Sequence, residues 1–182
     1  TLIAYHGQCT DGFTAAWSAW KAFNGHADYV PVCYGEPMPD TRGRHVYMLD
    51  YCPHGGAEVR RIACEAASLT IIDHHADKEA MLGRLRADAA SGLIGHVEVI
   101  YNGDHSGASL AWAYFNRGVK EPELVRYVED QDLCRWSLPR SQKYNAALQS
   151  FAHDFDQWDL ACGTPFDRMA ADGAVILRYK DR

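Results

Sequence analysis

The sequence predicts an α/β domain: a parallel sheet of about five strands flanked by helices and followed by a helical segment. Three observations carry that prediction. Short apolar runs rich in β-branched and aromatic residues alternate with longer stretches of helical periodicity. The strand signal stops near residue 105, and the remainder of the chain reads as helices. Finally, with 47% hydrophobic and 23% charged residues in 182, the chain can bury a genuine core, which excludes a disordered, collagen-like or coiled-coil protein.

Taken in order, Leu2–Tyr5 is the first strand candidate, and Gly12–Phe23 follows as a helix because Phe13, Ala16, Trp17 and Trp20 fall at i, i+3, i+4 and i+7. Tyr29–Tyr34 and Val46–Leu49 are strands, Ala57–Ala67 a helix, Leu69–Ile72 a strand, Asp77–Ala87 a helix and Val97–Tyr101 the last strand. Alternating strands and helices favour parallel pairing, right-handed crossovers and a doubly wound layout. Ser106 is suited to cap a helix over Ala108–Phe115, and further helices are expected at Glu121–Glu129, Gln142–Phe151 and Asp167–Lys180, the last interrupted by Gly173. That final helix has an apolar face that expects a partner. Trp17, Trp20 and Trp112 have spacing suited to core packing rather than to a base-stacking platform.

The formal net charge is −6, from 24 acidic and 18 basic residues. Such a balance counts against a long duplex as partner, since duplex recognition leaves a basic footprint, but leaves small or locally gripped phosphates as targets. The opening residues have no basic stretch and reach Asp11 before any long apolar run, so no signal peptide or membrane-spanning helix is expected there. The six cysteines contain no C-x-x-C pair and are expected to be reduced thiols, which makes the cytoplasm the default setting. A start without methionine and a stop at Arg182 suggest an excerpt from a longer polypeptide.

Several strand candidates end in groups that bind metals or move protons: Tyr5-His6 ahead of Asp11, Leu49-Asp50, and Ile72-Asp73-His74-His75. Ligands of an open parallel sheet collect at the carboxyl ends of its strands, so these distant segments are expected to converge on one crevice. Taken singly, an aspartate after a strand is usually a helix cap or turn former, and it is their joint placement that points to a site. Consecutive ionisable groups leaving a buried strand are costly unless paired, hydrogen-bonded or coordinated, which favours a site at 73–75. Adjacent side chains diverge along an extended chain, so His74 and His75 are expected to split their roles into one ligand and one catalytic or phosphate-contacting group.

His6-Gly7-Gln8-Cys9-Thr10-Asp11-Gly12, Asp50, Asp73-His74-His75 and Asp130 within Tyr127-Val128-Glu129-Asp130-Gln131-Asp132 stand in the order and rough spacing of four motifs, and over residues 3–136 the chain thereby resembles the DHH phosphoesterase superfamily. The resemblance implies a site for divalent manganese, one or two ions per chain with Mg2+ or another divalent ion as an alternative, that activates water for attack on phosphorus. It implies His6, Asp11, Asp50, His74 and Asp130 as metal ligands, with Asp50 able to bridge ions and Asp132 competing with Asp130 for the fourth motif's role. His75 would contact the phosphate or assist proton transfer, and Asp73 would orient a histidine. Residues 1–165 would form the metal-binding domain and 166–182 a terminal helix, a linker toward a missing substrate-binding domain.

The partners implied are a short or single-stranded oligonucleotide or a small phosphorylated nucleotide, with no long duplex and no membrane, and with a homo-oligomer left open. Alternatives are pyrophosphate or phosphomonoester hydrolysis, or a non-catalytic nucleotide-sensing module that keeps the fold. One departure bears on the number of ions. Where many family members carry a second carboxylate near Asp11, this chain has Cys9 and Phe13. The donor types suit manganese independently of the resemblance, because carboxylates and imidazoles match a hard to borderline divalent ion and no thiolate cluster is present. Asp104-His105-Ser106-Gly107 reads either as plain capping or as a phosphate contact, and Arg126, Arg135 and Arg140 as surface charges or phosphate grips.

Overall fold

A computed structural model describes residues 1–180. Five strands form one parallel sheet in the order β2-β1-β3-β4-β5: β1 Leu2–His6, β2 Asp28–Val32, β3 His45–Leu49, β4 Ser68–Asp73 and β5 Val97–Tyr101. The helices are α1 Thr10–Phe23, α2 Gly56–Glu65, α3 Glu79–Ala90, α4 Gly107–Phe115, α5 Glu123–Asp132, α6 Ser141–Leu148, α7 Phe155–Gly163 and α8 Phe166–Lys180, with one turn of 3-10 helix at Ala76–Lys78. The expected α/β architecture with its helical tail is therefore present. Among the described residues no helix is long and apolar enough to cross a membrane, and the six cysteines are unpaired.

Side chains alternate across the sheet and define two cores. On one face Ile3, Tyr5, Leu49 and Ile72 pack with Phe13 and Trp17 of α1, Trp112 of α4, Leu124 and Val128 of α5, and Trp158 of α7. On the other, Leu2, Val46, Met48, Leu69 and Ile71 meet Val59 and Ile62 of α2 and Leu82 and Leu85 of α3. Trp17 and Trp112 stack with centroids 5.6 Å apart, as core residues.

The boundaries depart from expectation at several points. Strand β2 stops at Val32, because Cys33 opens a turn to Glu36 in which Gly35 takes a φ of 89°. Helix α5 starts only after Pro122 and runs on to Asp132, three residues beyond the expected end. Helix α6 ends at Leu148, where the Ser150 hydroxyl donates to the Ala147 carbonyl. Helix α7 has no counterpart among the expected elements, although its signals are ordinary: Asp154 caps it by accepting from the Gln157 amide, and Phe155, Trp158 and Ala161 share one face.

Gly173 does not interrupt α8. It is where α8 crosses α6, so closely that a Cβ would sit 1.6 Å from the Lys143 carbonyl oxygen. Gly173→Ala is therefore expected to destabilise by about 3 kcal/mol, since backbone cannot yield as a side chain tip can. A thermal melt should show a drop of roughly 6–12 °C, and an unchanged midpoint would contradict this packing. Along the rest of α8, Met169 and Ala170 are buried while Val175 and Tyr179 are exposed.

Candidate metal centre

Register decides where the polar strand ends meet. Tyr5 pairs with Leu49, and Leu49 with Ile72, so the next residue on each of these adjacent strands, His6, Asp50 and Asp73, falls at one level at the carboxyl edge. Strand order also reverses there, β1 leading outward to β2 while β3 resumes on its other side, and that reversal opens a crevice. Asp50 leaves its strand with a φ of 54°, a left-handed conformation unusual for aspartate, held by the hydrogen bond from its amide to the Ile72 carbonyl.

Three more elements complete the cluster. The first turn of α1 brings Asp11, and Gly12 lets that turn press on the end of β1, where a Cβ would lie 2.3 Å from the His6 carbonyl oxygen. The start of α4 brings Gly107, whose missing Cβ would otherwise fall 2.6 Å from the Asp50 Cβ and 2.8 Å from Asp11 Oδ2. The Ala108 amide donates to Asp11 Oδ1 at 3.0 Å. The end of α5 brings Asp132.

Two groups of donor atoms result, His6, Asp50 and His75 on one side and Asp11, His74 and Asp132 on the other, each with its atoms within 4.8 Å of one another. Asp50 stands between them: Oδ2 is 3.4 Å from His6 Nδ1, and Oδ1 is 3.2 Å from His74 Nε2 and 3.8 Å from His75 Nδ1. His74 Nε2 also faces Asp132 Oδ2 at 3.4 Å and Asp11 Oδ2 at 3.8 Å.

The sequence-predicted residues His6, Asp11, Asp50 and His74 are thus brought together, with His75 beside them. Asp73 holds the triplet's geometry. Its Oδ1 accepts from the His74 and His75 amides at 2.7 and 3.0 Å and from His75 Nδ1 at 2.7 Å, a bond that fixes the ring and raises the His75 pKa.

Asp130 stands apart from this cluster. Its carboxylate accepts from the Ser137 amide and hydroxyl at 2.8 Å each and from the Leu138 amide at 3.4 Å, pinning the turn after α5. Two residues along a helix turn the side chain by about 200°, so Asp130 and Asp132 cannot both face the crevice, and Asp132 does. Cys9 supplies a thiol that donates to Asp50 Oδ2 at 3.7 Å, and burial pushes its pKa up to about 12. Phe13 packs in the core against His153 and Phe155. Arg135 and His105 both engage Glu129, whose Oε2 accepts from the Ser106 amide, and Arg140 pairs with Asp167, so these side chains are occupied by carboxylates.

The donor set fits a divalent ion. Asp11 and Asp50 are each 1% exposed, and Asp11 Oδ2, Asp50 Oδ1 and His6 Nδ1 are buried without a hydrogen-bond partner. Unpaired buried carboxylates are unfavourable unless a cation compensates them. Burial, then the Asp50 and Asp132 charges, drives the Asp11 carboxyl well above its usual range, and burial with Asp50 raises Asp132. Burial also works against ionised Asp50, but the flanking His6 and His74 outweigh it and hold the carboxyl low. For His74 burial disfavours the charge, yet Asp50 and Asp11 carry its pKa up to about 9.

A group whose pKa is higher folded than unfolded adds stability that is complete below the unfolded value and is lost as pH rises through the folded one. The metal-free chain should therefore melt at progressively lower temperature from pH 6.5 to 9 as His74 loses its proton. A divalent ion held by these groups would compete with those protons, so its stabilisation should grow with pH. Melts in chelator and in Mn2+ across that range test this, and a flat profile in chelator would contradict the assignment.

A cavity of about 260 Å³ lined by Gln8, Cys9, Thr10, Asp11, Val128, Gln131 and Asp132 opens onto the second group of donors. No model of a known protein family matches the chain. The chain is similar to an uncharacterized protein of Acanthamoeba polyphaga mimivirus, 23% identical over 199 aligned positions that cover 98% of this chain and 44% of that protein, so it spans less than half of that relative's length.

Proposed function

We propose that the chain is a metal-dependent phosphoesterase of the DHH type that hydrolyses phosphodiester bonds of short or single-stranded nucleic acid or of small nucleotides. The observation that carries this reading is the pair of three-residue donor groups joined at Asp50, at the strand-order reversal of a parallel sheet. His6, Asp50 and His75 would hold one Mn2+ and Asp11, His74 and Asp132 a second, with Asp50 reaching both. When bound, Mn2+ supplies charge neutralisation at phosphoryl oxygens and activation of water.

The chain's own residues do the rest. Asp73 fixes the His75 ring and its tautomer through Nδ1, the Ala108 amide holds Asp11 in place, and Gly107 keeps the crevice clear of a side chain. The cavity beside Asp132 offers room for one of the two groups that a phosphodiester carries on phosphorus. A cytoplasmic setting belongs to the same proposal, since six unpaired thiols suit a reducing compartment.

The test is release of mononucleotide from a short oligomer by purified chain in Mn2+, abolished by chelator and restored by added metal. Free phosphate measured in parallel separates phosphodiester from pyrophosphate or phosphomonoester cleavage. Metal binding with no turnover of any of these esters would overturn the catalytic reading and leave a nucleotide-sensing module.

A further inference from the structure

A second cavity, about 490 Å³, lies between the loop after β2 and the loop after β3, and the Tyr34 and Tyr51 rings that line it also pack against His6 of the metal centre. Tyr34 stands edge-on to His6 with centroids 5.5 Å apart, and Tyr51 lies tilted at 6.5 Å from the same imidazole. His54 is the outer ring of this wall. Its side chain is 65% exposed, yet it is held firmly: one face stacks on Tyr34 with centroids 4.3 Å apart, and Nδ1 meets the Lys78 ammonium.

Lys78 is 2% exposed, with its Nζ 2.7 Å from Asp77 and 5.0 Å from the Tyr34 centroid. A buried ammonium is unfavourable unless paired, and here its partners are a surface imidazole, a surface carboxylate and a ring face rather than core groups. With Lys78 as donor, His54 Nδ1 is the acceptor, so the imidazole proton sits on Nε2. The result is a largely exposed ring fixed in orientation and tautomer, lining this cavity beside Tyr34.

The rim of the cavity selects what can use that ring. Glu36 and Glu58 line it, so a bare phosphate is repelled, whereas a planar ring with N–H donors on its edge finds both a stacking face and acceptors. We propose that this cavity seats the nucleobase of the substrate, with His54 as its stacking platform and Lys78 as the residue that positions His54. The proposal rests on the phosphoesterase reading for its placement of phosphorus at the metal centre, and it narrows the substrate to a base-bearing nucleotide.

Calorimetric titration of the Mn2+-loaded chain with guanosine monophosphate and with ribose 5-phosphate tests it. Guanosine monophosphate should bind about tenfold or more tighter, the scale of one base stacked on a ring. That preference should fall to near unity in His54→Ala, persist in His54→Phe, which keeps the ring but not the nitrogens, and weaken in Lys78→Met. No preference in the parent chain, or an equal preference in His54→Ala, would overturn the proposal. Turnover of bis(p-nitrophenyl) phosphate, followed in the same preparations, keeps the two readings apart: a base preference without turnover supports the cavity and removes the phosphodiesterase, while turnover without a base preference does the reverse.

Discussion

Asp50→Asn should fold, bind Mn2+ about 100-fold or more weakly and lose ester hydrolysis by on the order of 1,000-fold. The carboxamide keeps the volume of the side chain but removes the charge that His6, His74 and His75 all face, at 3.4, 3.2 and 3.8 Å. No neighbouring carboxylate can substitute, because Asp50 alone reaches both donor groups from its position between them. The measurement is the rise in melting temperature on adding Mn2+, with ester turnover beside it. A variant that Mn2+ still stabilises as strongly as it does the parent would sink the metal-centre assignment.

Asp132→Asn and Asp130→Ala should fail in opposite ways. Asp132 faces His74 and carries no structural hydrogen bond to the turn beyond it, so its loss should cost about 100-fold in metal affinity with little change in the metal-free melt. Asp130 takes three hydrogen bonds from Ser137 and Leu138. Removing it takes all three charge-assisted bonds from the turn after α5 and should destabilise by about 1.5–3 kcal/mol, roughly 4–9 °C in midpoint, with metal affinity retained in the folded fraction. The reverse pattern would return the fourth motif's ligand to Asp130.

That pair shows what could and could not be seen in the letters. Asp130 and Asp132 share one short acidic stretch at the end of a helix, and choosing between them requires the rotational phase of that helix against the sheet. The phase is set by Leu124, Val125 and Val128 docking into the core and by Pro122 delaying the helix start. In the strands the opposite holds. A period of two leaves little freedom of phase, so Leu2–Tyr5, Val46–Leu49 and Leu69–Ile72 announced both the sheet and the level at which His6, Asp50 and Asp73 would emerge. Helix α7 was missed although its signals are local too, Asp154 as cap and the spacing of Phe155, Trp158 and Ala161. Gly173 was visible only as a helix breaker, and its role at the α6–α8 crossing depends on a backbone oxygen of Lys143, on a different helix.

By itself, then, the sequence determined the α/β class, the helical tail and a convergence of histidines and aspartates at strand ends, because hydrophobic periodicity and strand termini are local properties. Tertiary structure alone decided the partition of donors into two groups about Asp50, the exchange of Asp132 for Asp130, and the ring wall of Tyr34, Tyr51 and His54 above a buried Lys78. Those features depend on loops and on helix rotation. Both are set by packing between segments far apart in sequence, for which no short stretch carries a signal.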